Sequence, residues 1–218
     1  MKIVLVYSGG LDSTTLLFYL RRQGHEVRCL SIDYGQRHCR EIESARSICC
    51  LIGQELRVLD ISQVGGLFGE SALVDRNVPL PQGKYQLENM KVTIVPNRNM
   101  VFLSLAIAWA ISTRSEAVAY AAHAGDRAVY PDCRPEFVAD MDSVAKQCDW
   151  SSIDVIAPFI DKSKVDIVLL AASLGVPFEK TWSCYAGGEV HCGLCATCLE
   201  RKEAFIGTGL VDGVQYAN

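Results

Sequence analysis

Residues 8–13, SGGLDS, have the composition of a phosphate-binding loop. They follow the apolar run 2–7, which predicts a strand, and they precede a helical pattern. Glycines at such a corner let the backbone approach a ligand, and the helix N-terminus adds positive potential. No GK[ST] follows the glycines and the spacing is not GxGxxG, so the pattern does not favour ordinary γ-phosphoryl transfer.

Asp12 adds a carboxylate next to the expected phosphate. Two anions repel each other unless a cation bridges them, so this pair implies a bound Mg²⁺ ion. The alternative is purely structural, because Ser8, Asp12, Ser13 or Thr14 could simply cap the helix.

A cysteine cluster near the C-terminal end has the spacing of a metal site. Cys192, Cys195 and Cys198 form the pattern C-x₂-C-x₂-C, and Cys184 stands upstream of them. Four thiolates suit a tetrahedral Zn²⁺ ion and leave no open position for catalysis, so we predict a structural zinc site. An iron–sulfur cluster also uses four cysteines, and His191 could replace one thiolate, so both alternatives stay open.

The chain has ten cysteines, and the six outside this cluster are scattered. A disulfide framework is typical of small secreted domains, so the clustering indicates metal binding instead. Cys133 could be a nucleophile, but no neighbour in the sequence offers a base, and we assign it a structural role.

The elements that must position these residues alternate between strand and helix patterns. Strand patterns cover residues 2–7, 27–32, 56–60, 117–121 and 155–158. Helical patterns cover residues 13–23, 39–52, 100–112, 135–148 and 164–174. The alternation predicts an α/β fold with a doubly wound, mostly parallel sheet of Rossmann-like type, which binds ligands at the carboxyl ends of its strands.

The segment 62–97 interrupts this alternation. It is rich in glycine and proline and carries no clear period. A connection of this length in a compact domain is typical of an active-site lid or of a disordered insertion, and we expect one of the two.

Composition and charge limit the class of protein. The chain has 218 residues, of which 50% are hydrophobic, and we predict an α/β domain over 1–180 with a small metal-binding module over 181–218. The net charge of −4 argues against a basic surface for nucleic acid. No apolar run approaches the roughly 18–20 residues of a membrane span, and no signal peptide is visible, so we expect a cytoplasmic protein with no membrane partner.

The string SGGLDS after a strand resembles the signature of the N-type ATP pyrophosphatases, whose fold is of the adenine nucleotide alpha hydrolase type. The resemblance implies that ATP is cut between its α- and β-phosphates. A substrate oxygen attacks the α-phosphate, pyrophosphate leaves, and a nucleophile then displaces AMP from the adenylated intermediate.

Further stretches narrow the resemblance. DYGQRH at 33–38, VPNRN at 95–99, YPDCRPEF at 130–137 and the cysteine cluster are similar, in order and along the whole chain, to the 7-cyano-7-deazaguanine synthase family. This resemblance implies that 7-carboxy-7-deazaguanine, ammonia and two ATP give the nitrile through an adenylated acid, an amide and an adenylated amide. It also suggests a homodimer that serves queuosine biosynthesis. We expect free ammonia, or ammonia from a partner, because no glutaminase domain is visible.

Residue roles follow from the chemistry and from this resemblance. Arginine pairs with anions, carboxylates accept hydrogen bonds from a guanine-like edge, and lysines neutralise the charge that develops on phosphate. We expect ATP and Mg²⁺ to contact Ser8, Gly9, Gly10, Leu11, Asp12, Ser13, Thr14 and Asp33. We expect the substrate to contact Asn97, Arg98, Asn99, Asp126, Asp132 and Arg134, and the catalytic residues to be Asp12, Arg98, Lys162 and Lys164.

Each of these assignments has a structural alternative. Asn97 and Asn99 could serve a turn or a helix cap, and Asp33 could also be a cap. Lys162 and Lys164 could lie in solvent at the start of a helix.

Three other functions compete with the synthase. A tRNA sulfurtransferase with the same loop would need an RNA-binding surface, which the acidic balance does not favour. A zinc-stabilised nucleotide-binding regulator would show no turnover. A relative that adenylates a different substrate would keep the loop chemistry.

Overall fold

In the computed structural model, which describes residues 1–84 and 87–218, five parallel strands form one central sheet. The strands are β1 (Lys2–Val6), β2 (Glu26–Asp33), β3 (Leu56–Asp60), β4 (Ala117–Ala119) and β5 (Asp154–Ile156). Their spatial order is β3-β2-β1-β4-β5, and every neighbouring pair is parallel. All five predicted strands are therefore confirmed.

Helices cover both faces of the sheet. They are α1 (Leu11–Arg22), α2 (Arg40–Leu51), α3 (Leu87–Met90), α4 (Arg98–Ser112), α5 (Pro135–Ala145), α6 (Lys164–Leu174) and α7 (Ala196–Thr208). On β1, Val4 packs with α4 and α5, whereas Ile3 and Leu5 pack with α1, α2 and α6. Because successive strand residues point to opposite faces, an apolar run buries both sides of the strand, and the predicted doubly wound sheet is confirmed.

The topology places one crevice at a defined edge. The strand order reverses at β1, whose neighbours are β2 and β4. In such sheets the ligand crevice opens outside the carboxyl ends of the strands at this switch point. The glycine loop follows β1, and the segment from Tyr120 to His123 follows β4, so both lie at that edge.

The segment 62–97 is partly structured, and its description as a disordered insertion is wrong for the described residues. It contains 3₁₀ turns at Ser62–Phe68 and Lys91–Thr93, separated by irregular chain and α3. Phe68, Met90 and Val95 are buried in the core beside α4, because the segment supplies apolar side chains despite its glycines and prolines. Residues 85 and 86, which belong to this predicted loop, lie outside the described residues.

One stretch, Lys91–Ser112, which contains α4, is long and apolar enough to cross a membrane by length and composition alone. The expectation that no stretch approaches this length was therefore wrong. Leu103, Ala106 and Ile107 of α4 are buried in the core cluster that lies on the sheet. A core helix of a soluble protein passes the same test, and one such stretch is weak support for a membrane span.

The C-terminal part packs on the α/β layers. Phe205 of α7 contacts Phe178 edge-to-face at a centroid distance of 4.9 Å and shares a buried cluster with Leu11 and Val168. Arg201 is fully buried and pairs with Asp212 at 2.6 Å. These contacts join the end of the chain to α1 and α6, while the predicted division at residue 180 stays a prediction.

Candidate active site

A cavity of about 250 Å³ opens at the switch point of the sheet. One end is lined by the loop after β1 and the start of α1. The other end is lined by Tyr34, Arg98 and Tyr130, which come from the loop after β2, the start of α4 and the region after β4. The C-terminal part closes one side with residues 182–200. Side chains distant in sequence thus surround one space.

The glycine loop builds the first end. Ser13 Oγ accepts a hydrogen bond from Ser8 N–H at 3.3 Å, and Ser8 Oγ accepts one from Gly10 N–H at 3.2 Å. These bonds hold the loop, and no side chain caps α1, whose N-cap residue is Gly10. The capping alternative for this loop is therefore not what the structure shows. An uncapped helix N-terminus at a cavity wall offers backbone N–H groups to an anion.

Gly9 has a role that the sequence did not indicate. Its φ is +82°, and a Cβ atom there would lie 2.4 Å from the backbone nitrogen of Ala45. Gly9 therefore faces α2 rather than the cavity, and it allows the loop to pack against that helix. Gly10, in contrast, lines the cavity.

A charged network adjoins the loop. Lys164 Nζ lies 2.7 Å from Asp12 Oδ2, 3.3 Å from a Glu200 carboxylate oxygen and 3.3 Å from His123 Nε2. His123 Nε2 also lies 3.4 Å from Asp126 Oδ2, while His123 Nδ1 accepts a hydrogen bond from the N–H of Gly125. Strands and helices from four parts of the chain thus bring together three carboxylates, one lysine and one histidine.

The network fixes the charges of its members. Burial alone would raise the pKa of Asp12, but Lys164 and His123 outweigh it and lower that pKa. Burial alone would lower the pKa of Lys164, but Asp12, Glu200 and Asp126 outweigh it and raise that pKa. Asp12 stays ionised and Lys164 stays protonated at neutral pH.

Asp12 keeps one oxygen available. Its Oδ1 is buried and has no hydrogen-bond partner among the described residues, whereas Oδ2 binds Lys164. A buried carboxylate oxygen without a partner is costly unless a ligand satisfies it. Since Asp12 lines the cavity, the orphaned oxygen fits a cation such as Mg²⁺, which prefers carboxylate oxygens.

The opposite end of the cavity is cationic and aromatic. Burial alone would lower the pKa of Arg98, but Tyr34, Tyr130 and Asp132 outweigh it and raise that pKa. Phe102 and Tyr130 line the wall beside Arg98. A half-buried guanidinium with aromatic side chains in the same wall suits a flat ligand that carries an anionic group.

Several predicted contact residues do not line the cavity. The residues predicted for ATP, substrate or catalysis that fall outside its lining are Gly9, Thr14, Asp33, Asn97, Asp132, Arg134 and Lys162. Thr14 is fully buried beside the Tyr7 hydroxyl at 3.2 Å. Asp33 accepts a hydrogen bond from Gly35 N–H, which forms a local turn.

The remaining four serve turns, helix starts or the surface. Asn97 is exposed and adopts the left-handed conformation with φ 61°, which asparagine tolerates. Asp132 accepts a hydrogen bond from Asn99 N–H and so stabilises the start of α4. The exposed Arg134 donates to the carbonyl of Arg127, and the half-buried Lys162 is not among the lining residues. Their predicted ligand contacts stay predictions.

The predicted residues that do meet at the cavity are Ser8, Gly10, Leu11, Asp12, Ser13, Arg98, Asn99, Asp126 and Lys164. Cys133 also lines the wall, but burial and the nearby Asp126 raise the pKa of its thiol. A protonated thiol is a poor nucleophile, which agrees with the structural role expected for it.

The four C-terminal cysteines converge on one point. The sulfur atoms of Cys184, Cys192, Cys195 and Cys198 all lie within 4.8 Å of one another, and two of them are 3.9 Å apart. A tetrahedral site with Zn–S bonds of about 2.3 Å places its sulfurs about 3.8 Å apart. The arrangement therefore fits one zinc ion, and the predicted metal cluster is confirmed as a possible metal site.

Backbone N–H groups stabilise negative charge on two of these sulfurs. Cys184 Sγ accepts from the N–H groups of Ala186 and Cys192, at 3.3 and 3.2 Å. Cys192 Sγ accepts from those of Leu194 and Cys195, at 3.4 and 3.3 Å. Such bonds favour thiolates, which are the form that binds metal.

His191 is not part of the cluster. Its Nε2 accepts a hydrogen bond from Ser183 N–H at 3.1 Å, and its ring stands between Trp182 and Tyr216. The alternative in which His191 replaces a thiolate is therefore wrong.

Comparison with known proteins identifies the family. The model of the family described as "Queuosine biosynthesis protein QueC" matches residues 2–209. The chain belongs to the QueC family.

Curated relatives match over nearly the whole chain. A protein of Psychromonas ingrahamii named 7-cyano-7-deazaguanine synthase is 46% identical over 215 residues, which are 99% of this chain and 97% of the relative. One of Caldicellulosiruptor saccharolyticus with the same name is 47% identical over 216 residues, 99% of this chain and 96% of the relative. The resemblance drawn from the sequence motifs is confirmed.

A solved structure with the same fold is more distant. The predicted subunit of a tRNA methyltransferase from Methanocaldococcus jannaschii superposes with a TM-score of 0.50 and 16% identity, over 79% of this QueC-family chain and 74% of that chain. At this identity the likeness shows only the fold.

Sequence reasoning missed two carboxylates and one histidine among the residues that line the cavity. Glu41, His123 and Glu200 all line it, and none carried a recognisable spacing. His123 lies three residues before Asp126, which was a predicted substrate contact, so the pairing of the two could have been a signal. Glu200 lies in the first turns of α7, directly after the cysteine cluster. This position in the sequence gave no reason to assign Glu200 to the cavity.

Proposed function

We propose that this member of the QueC family converts 7-carboxy-7-deazaguanine, ammonia and ATP into the 7-cyano base, AMP and pyrophosphate. One observation carries the proposal: a single cavity joins an uncapped helix start beside Asp12 and Lys164 to a cationic aromatic end around Arg98. The first end suits the phosphates of ATP, and the second suits a flat carboxylated base. The names of the full-length relatives support the same substrate.

The α1 end would hold ATP. The backbone N–H groups at the start of α1, with the Ser8 and Ser13 hydroxyls, would bind the leaving pyrophosphate. Asp12 Oδ1 would bind Mg²⁺, which supplies charge neutralisation between the phosphates. Lys164, buried and protonated, would stabilise the negative charge that develops on the α-phosphate during attack.

The Arg98 end would hold the base. Arg98 would orient the substrate carboxylate toward the α-phosphate, and Asn99 would offer an amide hydrogen bond. Phe102 and Tyr130 would contact the faces or edges of the ring system. Asp126 would accept hydrogen bonds from the donor edge of the guanine-like base.

The chemical sequence needs two adenylations. A carboxylate oxygen attacks the α-phosphate and releases pyrophosphate, and ammonia then forms a C–N bond while AMP leaves with that oxygen. The amide oxygen then attacks the α-phosphate of a second ATP, and pyrophosphate leaves. The nitrile forms as AMP leaves with that oxygen. Two oxygens leave on two AMP molecules, and no reductant is required.

The cysteine cluster would hold a structural Zn²⁺ ion. Four sulfurs occupy four tetrahedral positions, so no position remains for a substrate. The ion would fix the conformation of the chain around the cluster. This part of the chain places four residues at the cavity wall: Ser183, Tyr185, Thr197 and Glu200. We also propose a homodimer, which light scattering of the purified protein would test.

An incubation with ATP, Mg²⁺, ammonium and 7-carboxy-7-deazaguanine, followed by mass spectrometry of bases and nucleotides, tests the proposal. We expect the nitrile together with two AMP per product. AMP without the nitrile would keep the adenylating activity and replace the proposed substrate with another acceptor. No AMP from folded, zinc-loaded protein would overturn the proposed enzyme activity.

A further inference from the structure

A second, smaller cavity of about 40 Å³ adjoins the first. The two share Tyr34, Gln36, Glu41, Arg98 and Tyr185 in their walls. Glu41 is the only carboxylate among these shared residues, so its side chain lies where the two spaces meet. A group at this junction borders both spaces.

The Glu41 carboxyl group is unusually free. It makes no hydrogen bond or ion pair within 4 Å with any residue that the structure describes. The positive charge of Arg98 nevertheless acts to lower its pKa. Its place on the second residue of α2 is fixed, because Gly9 lies directly against the backbone of Glu41 and Ala45. The backbone of α2 therefore holds the Glu41 carboxyl at the cavity wall, where a ligand can bind it.

Its surroundings favour the neutral acid. Burial raises the pKa of Glu41 to about 7, and Arg98 only partly opposes this. The other ionisable groups around the junction are Tyr34, Arg37 and His38 from the chain after β2, and Tyr185 from the C-terminal part. A carboxyl that titrates near neutral pH exchanges protons readily at physiological pH.

The proposed reaction needs such a group. The nitrogen enters as ammonia with three hydrogens and ends in a nitrile with none, so three protons must leave it in each turnover. Asp12 is ionised and paired with Lys164, and Cys133 holds its proton firmly. A group that accepts a proton several times in one turnover needs a pKa near the operating pH, and neither Asp12 nor Cys133 meets this condition.

We infer that Glu41 is the general base that removes protons from the nitrogen, an inference that rests on the proposed function. Its carboxylate takes one N–H proton as ammonia forms the C–N bond and AMP leaves. It takes a second proton as the amide oxygen attacks ATP, and a third as the C–N triple bond forms and the second AMP leaves. Between steps the acid returns each proton to solvent through the smaller cavity.

The test uses Glu41→Gln, with Glu43→Gln as matched control. Glu43 lies on the same helix but is exposed and pairs with Arg40 outside the cavity. The first adenylation removes no proton from nitrogen, so pyrophosphate release in one turnover without ammonia should persist in Glu41→Gln. Conversion of the 7-carboxamide base plus ATP to the nitrile should fall about 10²–10⁴-fold.

The pH profile separates a base from a mere contact. Because the amide half-reaction uses no ammonia, the ionisation of ammonium does not distort its profile. With wild-type protein, kcat/KM for the amide should rise through about pH 7 and then level off. In Glu41→Gln the remaining rate should lose this rise, whereas Glu43→Gln should keep both rate and profile.

Each other result counts against the inference. A raised KM for the base with the pH rise intact would make Glu41 a recognition residue. Wild-type rates in Glu41→Gln would show that Glu41 takes no part in the mechanism, and the proposed function would still stand. No nitrile from the wild type would overturn both. If Glu41→Gln does not fold, Glu41→Asp replaces it in the test. This variant keeps a carboxyl group, so its rate should still rise with pH. A flat pH profile would refute the role of Glu41 as general base.

Discussion

Asp12 and Glu41 are two carboxyl groups on the wall of one cavity, and their surroundings differ. Asp12 Oδ2 lies 2.7 Å from Lys164, and the pKa of Asp12 is lowered. Glu41 has no hydrogen-bond partner among the described residues, and its pKa is raised to about 7. Both are partly buried, and burial acts to raise both pKa values, so burial does not explain the difference. Asp12 has a cation within hydrogen-bond distance, which outweighs burial, whereas Arg98 only partly opposes burial at Glu41.

The comparison assigns separate roles to the two ends of the cavity. Where two titratable groups have pKa values pushed apart, one can act as a fixed charge and the other as a proton carrier. Asp12 matches the fixed charge, beside the phosphates and a cation. Glu41 matches the proton carrier, at the junction of the two cavities where Arg98 also lies.

Beyond Glu41→Gln itself, the largest effect is expected from Asp12→Asn. The change keeps the size of the side chain but removes the charge beside Lys164 and the oxygen proposed for Mg²⁺. Both adenylations should slow by about 10²–10³, because each depends on charge stabilisation at the phosphates. The measurement is AMP formation with the acid substrate and, separately, with the amide.

Asp140→Asn is the control for this substitution, since Asp140 is exposed on α5 away from the cavity. If Asp12→Asn slowed only the amide step, Asp12 and Glu41 would not have separate roles. The contrast between the two carboxyl groups would then be wrong.

A smaller effect is expected from the cysteine cluster through Glu200. Glu200 follows Cys198 on α7 and lies 3.3 Å from Lys164, so the metal site and the phosphate end are joined by one helix. Glu200→Gln should lower AMP formation about 10–100-fold with zinc content unchanged. Cys195→Ser should lower both zinc content and AMP formation, as measured by metal analysis and nucleotide chromatography.

Cys50→Ser, at an exposed cysteine of α2, should change neither zinc content nor rate. Full AMP formation in zinc-free Cys195→Ser would show that the cluster does not position Glu200. The phosphate end would then be independent of the C-terminal part.

The smallest effect is expected in the pH dependence of stability, with opposite signs for the two carboxyls. The folded pKa of Glu41 is raised, so its folded state binds more protons, and stability falls as pH rises from about 4.5 to about 7. The folded pKa of Asp12 is lowered, so its contribution is present above about 3.9 and is lost as pH falls further.

Glu41→Gln should therefore be more stable than the wild type at pH 8 by about 1–3 kcal/mol, and the difference should shrink toward pH 4.5. Urea unfolding across this range measures the difference, with Glu43→Gln as the control. An equal difference at pH 8 and pH 4.5 would mean that Glu41 is not titrating near neutral pH in the folded protein.

The sheet, the glycine loop and the metal cluster were predictable because their signals are local. A strand that is buried on both faces reads as an apolar run, as in β1, whatever its neighbours. The cysteines of C-x₂-C-x₂-C are so close in sequence that short turns suffice to bring them together. The packing of segment 62–97 was missed because its buried Phe68 and Met90 follow no period.

The sequence by itself determined the α/β fold, the family and the two clusters that mark its chemistry. Only the tertiary structure decided that Gly9 serves α2, that Asn97 and Lys162 lie off the cavity wall, and that Glu41 and Glu200 lie on it. The physical reason is that a side chain acquires its charge state and its partners from neighbours that are distant in sequence. Lys164 and Asp12, which are 152 positions apart, are 2.7 Å apart in space.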